Sequence, residues 1–416
     1  MRLLTADVCK VAESLNLKQV PILSLAKDPW EGNWFNRHHL ISRISEANPV
    51  LHVSPPFNIR DAWQSFRQAE KVLSGLRRVT NNLHLYTPPR WLPYTYRSPM
   101  LNNVTARARA WQIRNALNSL GMSKPILYIW DPEFADMIGH FDERLVVYHC
   151  YDEHVDFPGV TPEERGLIES QERSILERAD IVFAVSSSIA ERKSRFNSNT
   201  FVVRNAANYD LFAVAQSSDT KVPEEIASIP RPIIGCVTRI VDQYFHVPLM
   251  TEVFQRRPDW SLVLVGPVIE PKGGGERAQQ QQKDLAQFRR LPNVYLLGRR
   301  EQKELPGYLK GFDVCAMAYP MIESVMHTES PLKMYEYLAA GKPVVSTPLP
   351  LISELADVIR FAGTADEWIK AVECSLQDNS SQRIEERQAI ARDNTWDQRA
   401  SFVSTTLAKE LSRRGR

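Results

Sequence analysis

Long apolar runs are missing from this chain. The longest, such as PVVSTPLPLI and SLVLVG, fall far short of the ~20 residues that a membrane-spanning helix requires, so no segment is expected to cross a bilayer. The opening stretch MRLLTADVCKVAESLNLKQV has a lone Arg2, polar interruptions and no small-residue cleavage site, and the expected location is the cytoplasm. Cysteine is scarce: Cys9, Cys150, Cys236, Cys315 and Cys374 are odd in number and widely spaced. Without a C-x-x-C pair they suggest neither zinc nor a redox switch, and buried thiols in a reducing compartment fit them. A charge of one sign is lacking too, since 51 Lys and Arg oppose 49 Asp and Glu for a net +2. No general field attracts nucleic acid, and any basic surface must be local. No G-x-G-x-x-G occurs, which removes the main support for a nicotinamide enzyme, and PKGGGER (271–277) lacks the Gly-Lys-Ser/Thr ending of a phosphate-binding loop.

What is present is an ordinary globular balance, 43% hydrophobic and 24% charged, in 416 residues. That length suits two domains of roughly 200 residues better than one core. Short β-branched runs alternate with amphipathic segments, the sign of strand-helix units around parallel sheets in an α/β fold. Strands are expected at 20–26, 49–55, 83–88, 125–131, 145–151, 181–186 and 201–206, with a helix over 162–179. From Ala213 to Pro230 the chain turns polar, with Ser217, Ser218, Pro223 and Pro230, and reads as a linker. A second series follows at 232–238, 261–267, 294–298, 313–319, 343–347 and 358–362, and helices close the chain at 365–377, 382–392 and 396–411. Such sheets bind ligands beyond the C-terminal ends of their strands, so those loops are the places to search.

The strongest segment is DVCAMAYPMIESVMHTESPLKMYEYLAAGKPVVSTPLPLISEL (313–355). After a strand ending at Tyr319, Ser330 and Pro331 read as the cap and first position of a helix. The free N–H groups and dipole of such a helix end favour a phosphate. Lys333 in the first turn opposes the dipole unless an anion arrives, and so suits a diphosphate. Glu336, three residues on, can face the same side and accept two hydrogen bonds from a ribose diol. Gly341 reads as the left-handed cap, and Lys342-Pro343 leads into the next strand. A surface helix with a weak Lys333–Glu336 pair would look the same in isolation.

The run SPLKMYEYLAAGKPVVST resembles the donor-site signature of GT-B glycosyltransferases of the family 4 type, in the branch that makes bacterial surface polysaccharides. The similarity extends through IIGCVTRI, RPDWSLVLVGP and LPNVYLLGRR, and more weakly to KDPWEGNWFNRHHL, VVYHCYDEH and IVFAVS. The resemblance implies a GT-B fold of two doubly wound Rossmann-like domains facing across a cleft. Residues 1–212 would form the acceptor-side domain, 213–230 the linker, 231–393 the nucleotide-sugar donor domain, and 394–416 a helix crossing back to the first domain. It implies a hexosyl-transferring enzyme that moves a sugar from a nucleoside-diphosphate sugar to a glycan or lipid-linked hydroxyl in polysaccharide biosynthesis, retaining and metal-independent, without a further cofactor.

Carried over, Glu336 would hold the donor ribose, and Ser330, Leu332 and Lys333 the diphosphate. Arg239, after the first strand of the second domain, would be the other phosphate cation, since an Arg can grip two oxygens. Thr238, Gly266 and Arg299 stand at strand ends on the same donor side. Thr328 occupies a position where relatives often carry Glu, and Glu329 is one residue out of step. Where many relatives read His-Asp, this chain has Tyr151-Asp152, with His154 as a substitute histidine. Asp152, Arg239 and Lys333 are the catalytic candidates; Asp152 acting as general base would make the reaction inverting. Gly32 and Asn33, with His154, Thr328 and Glu329, complete the acceptor and sugar side.

A metal held by His149, Asp152 and His154 fits no standard spacing, and no Asp-x-Asp pair occurs. His38 and His39 are adjacent and read as a helix start rather than a ligand pair. PPRWLPYTYRSP (88–99), followed by Arg107, Arg109 and Arg114, mixes aromatic and basic residues as bilayer interfaces do, so a peripheral inner-membrane contact through 88–114 stands beside packing of a proline-rich crossover. Two other functions stay open: a nucleotide-sugar epimerase, and a non-catalytic nucleotide-sugar-binding partner in an assembly complex.

Overall fold

The computed structural model describes residues 17–31, 34–53, 75–89, 99–156, 160–240, 244–271, 275–322 and 331–415. The chain divides into two units, one of residues 1–204 with 396–416 and one of residues 205–395.

The first unit is built on an eight-stranded sheet: β1 (Ile22–Leu25), β2 (Val50–Val53), β3 (Gly75–Arg78), β4 (Leu83–Thr87), β5 (Ile126–Ile129), β6 (Leu145–Cys150), β7 (Ile181–Ala184) and β8 (Thr200–Val202). Their order is β3-β4-β2-β1-β5-β6-β7-β8, and every pair is parallel except β3 with β4. The strands ILSL, VLHV and ILYI are buried at every position, as expected for a parallel sheet covered on both faces. Six of the eight strands lie within the expected runs, and β8 overlaps the run 201–206 only at Phe201 and Val202. The remaining strand, β3, reads GLRR and is exposed along its length, so neither periodicity nor hydrophobicity marks it.

The second unit carries β9 (Ile233–Val237), β10 (Ser261–Val265), β11 (Val294–Gly298), β12 (Val314–Met317), β13 (Val344–Ser346) and β14 (Ile359–Phe361). All are parallel, in the order β11-β10-β9-β12-β13-β14. Numbered within the unit this is 3-2-1-4-5-6, the doubly wound order whose ligand crevice lies between the first and fourth strands, beyond their C-terminal ends. In the first unit the order reverses between β1 and β5, and the same rule points there.

Six helices bear on these sites: α1 (Asn36–Ile44), α2 (Pro99–Ser119), α3 (Pro162–Arg178), α4 (Ser187–Ser194), α5 (Leu332–Ala339) and α6 (Trp396–Arg414). α3 starts where its sequence says it should. Thr161 accepts the Glu164 N–H at 3.3 Å, Glu164 accepts the Thr161 N–H at 3.0 Å, and Pro162 takes the first helical position. α6 belongs to the first unit: Trp396 stacks on His39 of α1 with ring centroids 5.1 Å apart, and Arg43 donates to Asp397 at 2.9 Å.

The stretch 213–230 is not a linker. Ala215, Ile226 and Ile229 are buried in the same core cluster as Phe312 and Tyr337, so the polar residues between them mark the surface side of a packed segment. The change of unit falls earlier, at Arg204–Asn205.

Candidate active site

In the second unit the described residues at the ends of β9, β10 and β12 meet the start of one helix, α5, at the crevice between β9 and β12. α5 begins at Leu332 with Pro331 in the cap position, one residue later than the sequence suggested, and Ser330 lies outside the described residues. In the first turn of α5 the Met334 N–H donates to Pro331 O at 3.3 Å, and the positive end of the helix dipole lies there, which favours an anion. Tyr337 on α5 pins the end of β9 by accepting the Val237 N–H at 2.7 Å. One turn earlier, Lys333 Nζ donates to Thr238 Oγ1 at 2.9 Å and stands 4.6 Å from the centre of the Tyr319 ring, which follows β12. The structure thus brings together Thr238, Lys333 and the helix end that carries them.

Gly266 makes this approach possible. Its φ of +146° is one that side chains rarely adopt, and a Cβ there would sit 1.8 Å from the Thr238 carbonyl oxygen. The Thr238 N–H donates to Val265 O at 2.9 Å, so the β9 loop lies directly against the end of β10. Gly266 shapes this crevice through backbone proximity to Thr238 rather than through a side chain.

Glu336 is half-buried on α5, and burial raises its pKa to about 7, opposed by the nearby Lys333 charge and a hydrogen bond with Gln302. A carboxylate this close to neutrality is held ready for hydroxyl donors that would compensate its lost hydration. Arg239 is exposed, with its guanidinium 4.7 Å from the centre of the Tyr244 ring. Leu332, half-buried, opens α5. Arg299 is exposed just after β11, two strands from the crevice, whereas its neighbour Arg300 is tied to Glu225 at 2.8 Å. Gly341 ends α5 with φ +68°.

The first unit holds the remaining candidates. Asp152 is half-buried, and its carboxylate accepts the Glu153 N–H at 2.8 Å. His154 is buried edge-on to Tyr151 at 5.0 Å, and burial lowers its pKa to about 4, which makes it neutral near pH 7. His149 lies inside β6, where it hydrogen-bonds Tyr128 Oη at 2.7 Å and stacks on Trp130, a core position. Among the described residues no three His, Cys, Asp or Glu side chains group as a metal site would require. His38 Nδ1 accepts the Phe35 N–H at 3.1 Å, which leaves Nε2 to donate to Pro29 O at 3.1 Å; this is a helix-start role. Gly32, Asn33, Thr328 and Glu329 lie outside the described residues, as do residues 90–98 of the aromatic-basic segment.

Sequence reasoning missed a charged cluster at the β1/β5 reversal. The carboxylate of Asp131, fully buried after β5, accepts the Lys27 N–H at 2.9 Å and the Tyr151 hydroxyl at 2.8 Å. Lys27 Nζ bonds Glu133 at 2.9 Å, and burial raises the Glu133 pKa. Arg37 pairs with Asp28 and lies 4.8 Å from the Tyr151 ring centre. Behind this cluster, Glu153 is gripped by Lys193 at 2.6 Å and Arg192 at 2.7 Å, and Lys193 reaches Glu172 at 2.8 Å. That buried network fixes the loop bearing Tyr151 and His154. The available signal was a repeat of chemistry, Asp28-Pro29 after β1 and Asp131-Pro132 after β5, at the two strands where the order reverses.

Two doubly wound units in one chain, the second with a lysine and a carboxylate on a helix at its switch point, define the GT-B class. Residues 231–378 match the family model described as Glycosyl transferases group 1. The chain is a GT-B glycosyltransferase. It is 28% identical over 391 residues, 87% of this chain and 90% of the relative, to a putative teichuronic acid biosynthesis glycosyltransferase, TuaH, of Bacillus subtilis. Similar solved structures include a sucrose-phosphate synthase from Thermosynechococcus elongatus, with TM-score 0.64 and 14% identity over 92% of this chain and 96% of that one. Anabaena HepE, in complex with UDP and glucose, has TM-score 0.63 and 15% identity over 93% of this chain and 99% of that one.

Proposed function

We propose that the enzyme transfers a sugar from a nucleoside-diphosphate sugar to a hydroxyl of a glycan or lipid-linked acceptor in polysaccharide biosynthesis. The observation that carries this reading is the placement of Lys333 Nζ, 2.9 Å from Thr238 Oγ1, at the start of α5 beside the β9/β12 crevice. A diphosphate in that crevice meets the lysine and the positive end of the helix dipole, with exposed Arg239 on the adjoining loop. This positive charge does the work of a divalent cation at the leaving group, which supports a metal-independent reaction. Glu336, one turn along α5, accepts the ribose hydroxyls. HepE, a structural neighbour in complex with UDP and glucose, supports a nucleotide-sugar donor, and the likeness to TuaH, named for teichuronic acid biosynthesis, supports a role in polysaccharide biosynthesis.

On the acceptor side, Asp131, Lys27, Glu133 and Tyr151 offer hydroxyl-recognising groups at the β1/β5 reversal. In the retaining course that we favour, the departing phosphate takes the acceptor proton as the anomeric bond breaks. The test is calorimetric titration of the protein with UDP and with GDP, followed by sugar transfer with the corresponding radiolabelled nucleotide sugars. Binding weakened by Lys333→Ala, together with transfer, is the expected result. Nucleotide binding without transfer to any acceptor would leave a binding protein, and binding of neither nucleotide would remove the donor assignment.

A further inference from the structure

Helix α2 carries a face that the transfer chemistry does not use. Over 21 residues, PMLNNVTARARAWQIRNALNS, it contains three arginines and no carboxylate. Ala106, Ala110, Ile113, Ala116 and Leu117 turn into the core of the first unit. The opposite side exposes Val104 by 69% and Trp111 by 63%, and Arg107 and Arg114 are also exposed. The spacing 104, 107, 111, 114 puts all four on one stripe of the helix.

The third arginine behaves differently. Arg109 is buried and pairs with Asp136 at 3.0 Å. The nearby carboxylates are likewise engaged locally: Glu143 accepts N–H groups of Gly139 and Phe141, and Asp142 pairs with Lys124 at 3.6 Å. Arg114 donates to the His140 carbonyl, and among the described residues no carboxylate pairs with it. The stripe therefore combines a large amphipathic ring, a β-branched apolar side chain and two cations.

We infer that this face of α2, through Val104, Arg107, Trp111 and Arg114, docks the enzyme on an anionic lipid bilayer. The partner follows from charge and shape together. An indole exposed beside arginines inserts at headgroup depth, the apolar neighbour adds contact with the acyl boundary, and each cation meets lipid phosphate. A stripe of two apolar residues holds weakly, so attachment is reversible and salt-sensitive. The inference does not rest on the donor-site reading, because α2 and the β9/β12 crevice are in different units.

The test is flotation of the full chain with vesicles of phosphatidylglycerol and phosphatidylcholine in equal parts, against vesicles of phosphatidylcholine alone. Wild type is expected to float with the anionic vesicles only, and less so as salt is raised. Arg107→Glu with Arg114→Glu should reduce bound protein by more than about tenfold, from roughly fivefold per arginine. Trp111→Ser should reduce it severalfold, and both variants should bind nucleotide as wild type does, which separates a lost surface from a lost fold. Absence of wild-type flotation, or variants that float as well as wild type, would overturn the inference. So would wild-type self-association that the variants abolish without any vesicle binding, which would make the stripe a face between copies of the chain.

Discussion

Lys333 Nζ and Thr238 Oγ1 meet at 2.9 Å across 95 residues of sequence, one on a helix and the other on the loop after β9. Thr238 thereby helps to hold the lysine over the crevice through a hydroxyl contact that a diphosphate oxygen can replace. Lys333→Ala should weaken nucleotide binding by about tenfold or more, the worth of a charge-assisted contact. Thr238→Val, which removes the hydroxyl contact and keeps the lysine, should change affinity far less. Calorimetric titration of both variants checks the difference.

Glu336 makes binding pH-dependent. With its pKa raised to about 7, the carboxylate is mostly protonated at pH 6. If the ribose is held by the charged form, affinity should fall about tenfold between pH 8 and pH 6, and that fall, beyond any due to the nucleotide itself, should vanish in Glu336→Gln.

The same residue affects stability with the opposite sign. The folded protein binds more protons here than the unfolded chain between the ordinary value of 4.5 and about 7, so stability is lost as pH rises through that window. Glu336→Gln should therefore raise the melting temperature at pH 8 and leave it nearly unchanged at pH 4.5, as scanning calorimetry can show.

Gly266→Ala should destabilise the second unit by about 2 kcal/mol or more and weaken nucleotide binding as well. The added methyl would have to displace the Thr238 carbonyl, and with it the loop that positions Lys333. Urea unfolding and nucleotide titration of one sample measure both effects.

Acid should melt the first unit ahead of the second. Burial lowers His39, His52 and His149 to about 3 and His38 and His154 to about 4, and all five belong to the first unit. The unfolded chain takes up these protons near pH 6.5 and the folded one does not. Each site thus removes about 1.4 kcal/mol per pH unit as pH falls from 6.5 toward the folded value. Calorimetry is expected to show one transition near neutrality separating into two by pH 5, the earlier one belonging to the first unit, residues 1–204 with 396–416.

Much of this architecture was legible because parallel strands covered on both faces must be apolar at every position, and ILSL, ILYI and SLVLV announce themselves. The exposed edge strand GLRR gave no such signal, and Ala215, Ile226 and Ile229 were too sparse among polar neighbours to reveal a packed segment. Lys333 and Glu336 could be paired from their spacing on one helix. The Lys27–Asp131–Tyr151 cluster could not, because its members come from three strand ends that only the order β1-β5-β6 makes adjacent.

The placement of α6 also bears on synthesis. His39 receives its stacking partner from Trp396, which leaves the ribosome 192 residues after Arg204, the last residue of the first unit's own stretch (396 − 204 = 192). At roughly 5–20 residues per second the nascent first unit waits on the order of 10–40 seconds, with the face of α1 bare while the second unit emerges. A chain stopped at residue 395 would release that unfinished face permanently, and a first unit produced alone needs residues 396–416 supplied in trans or grafted after Arg204.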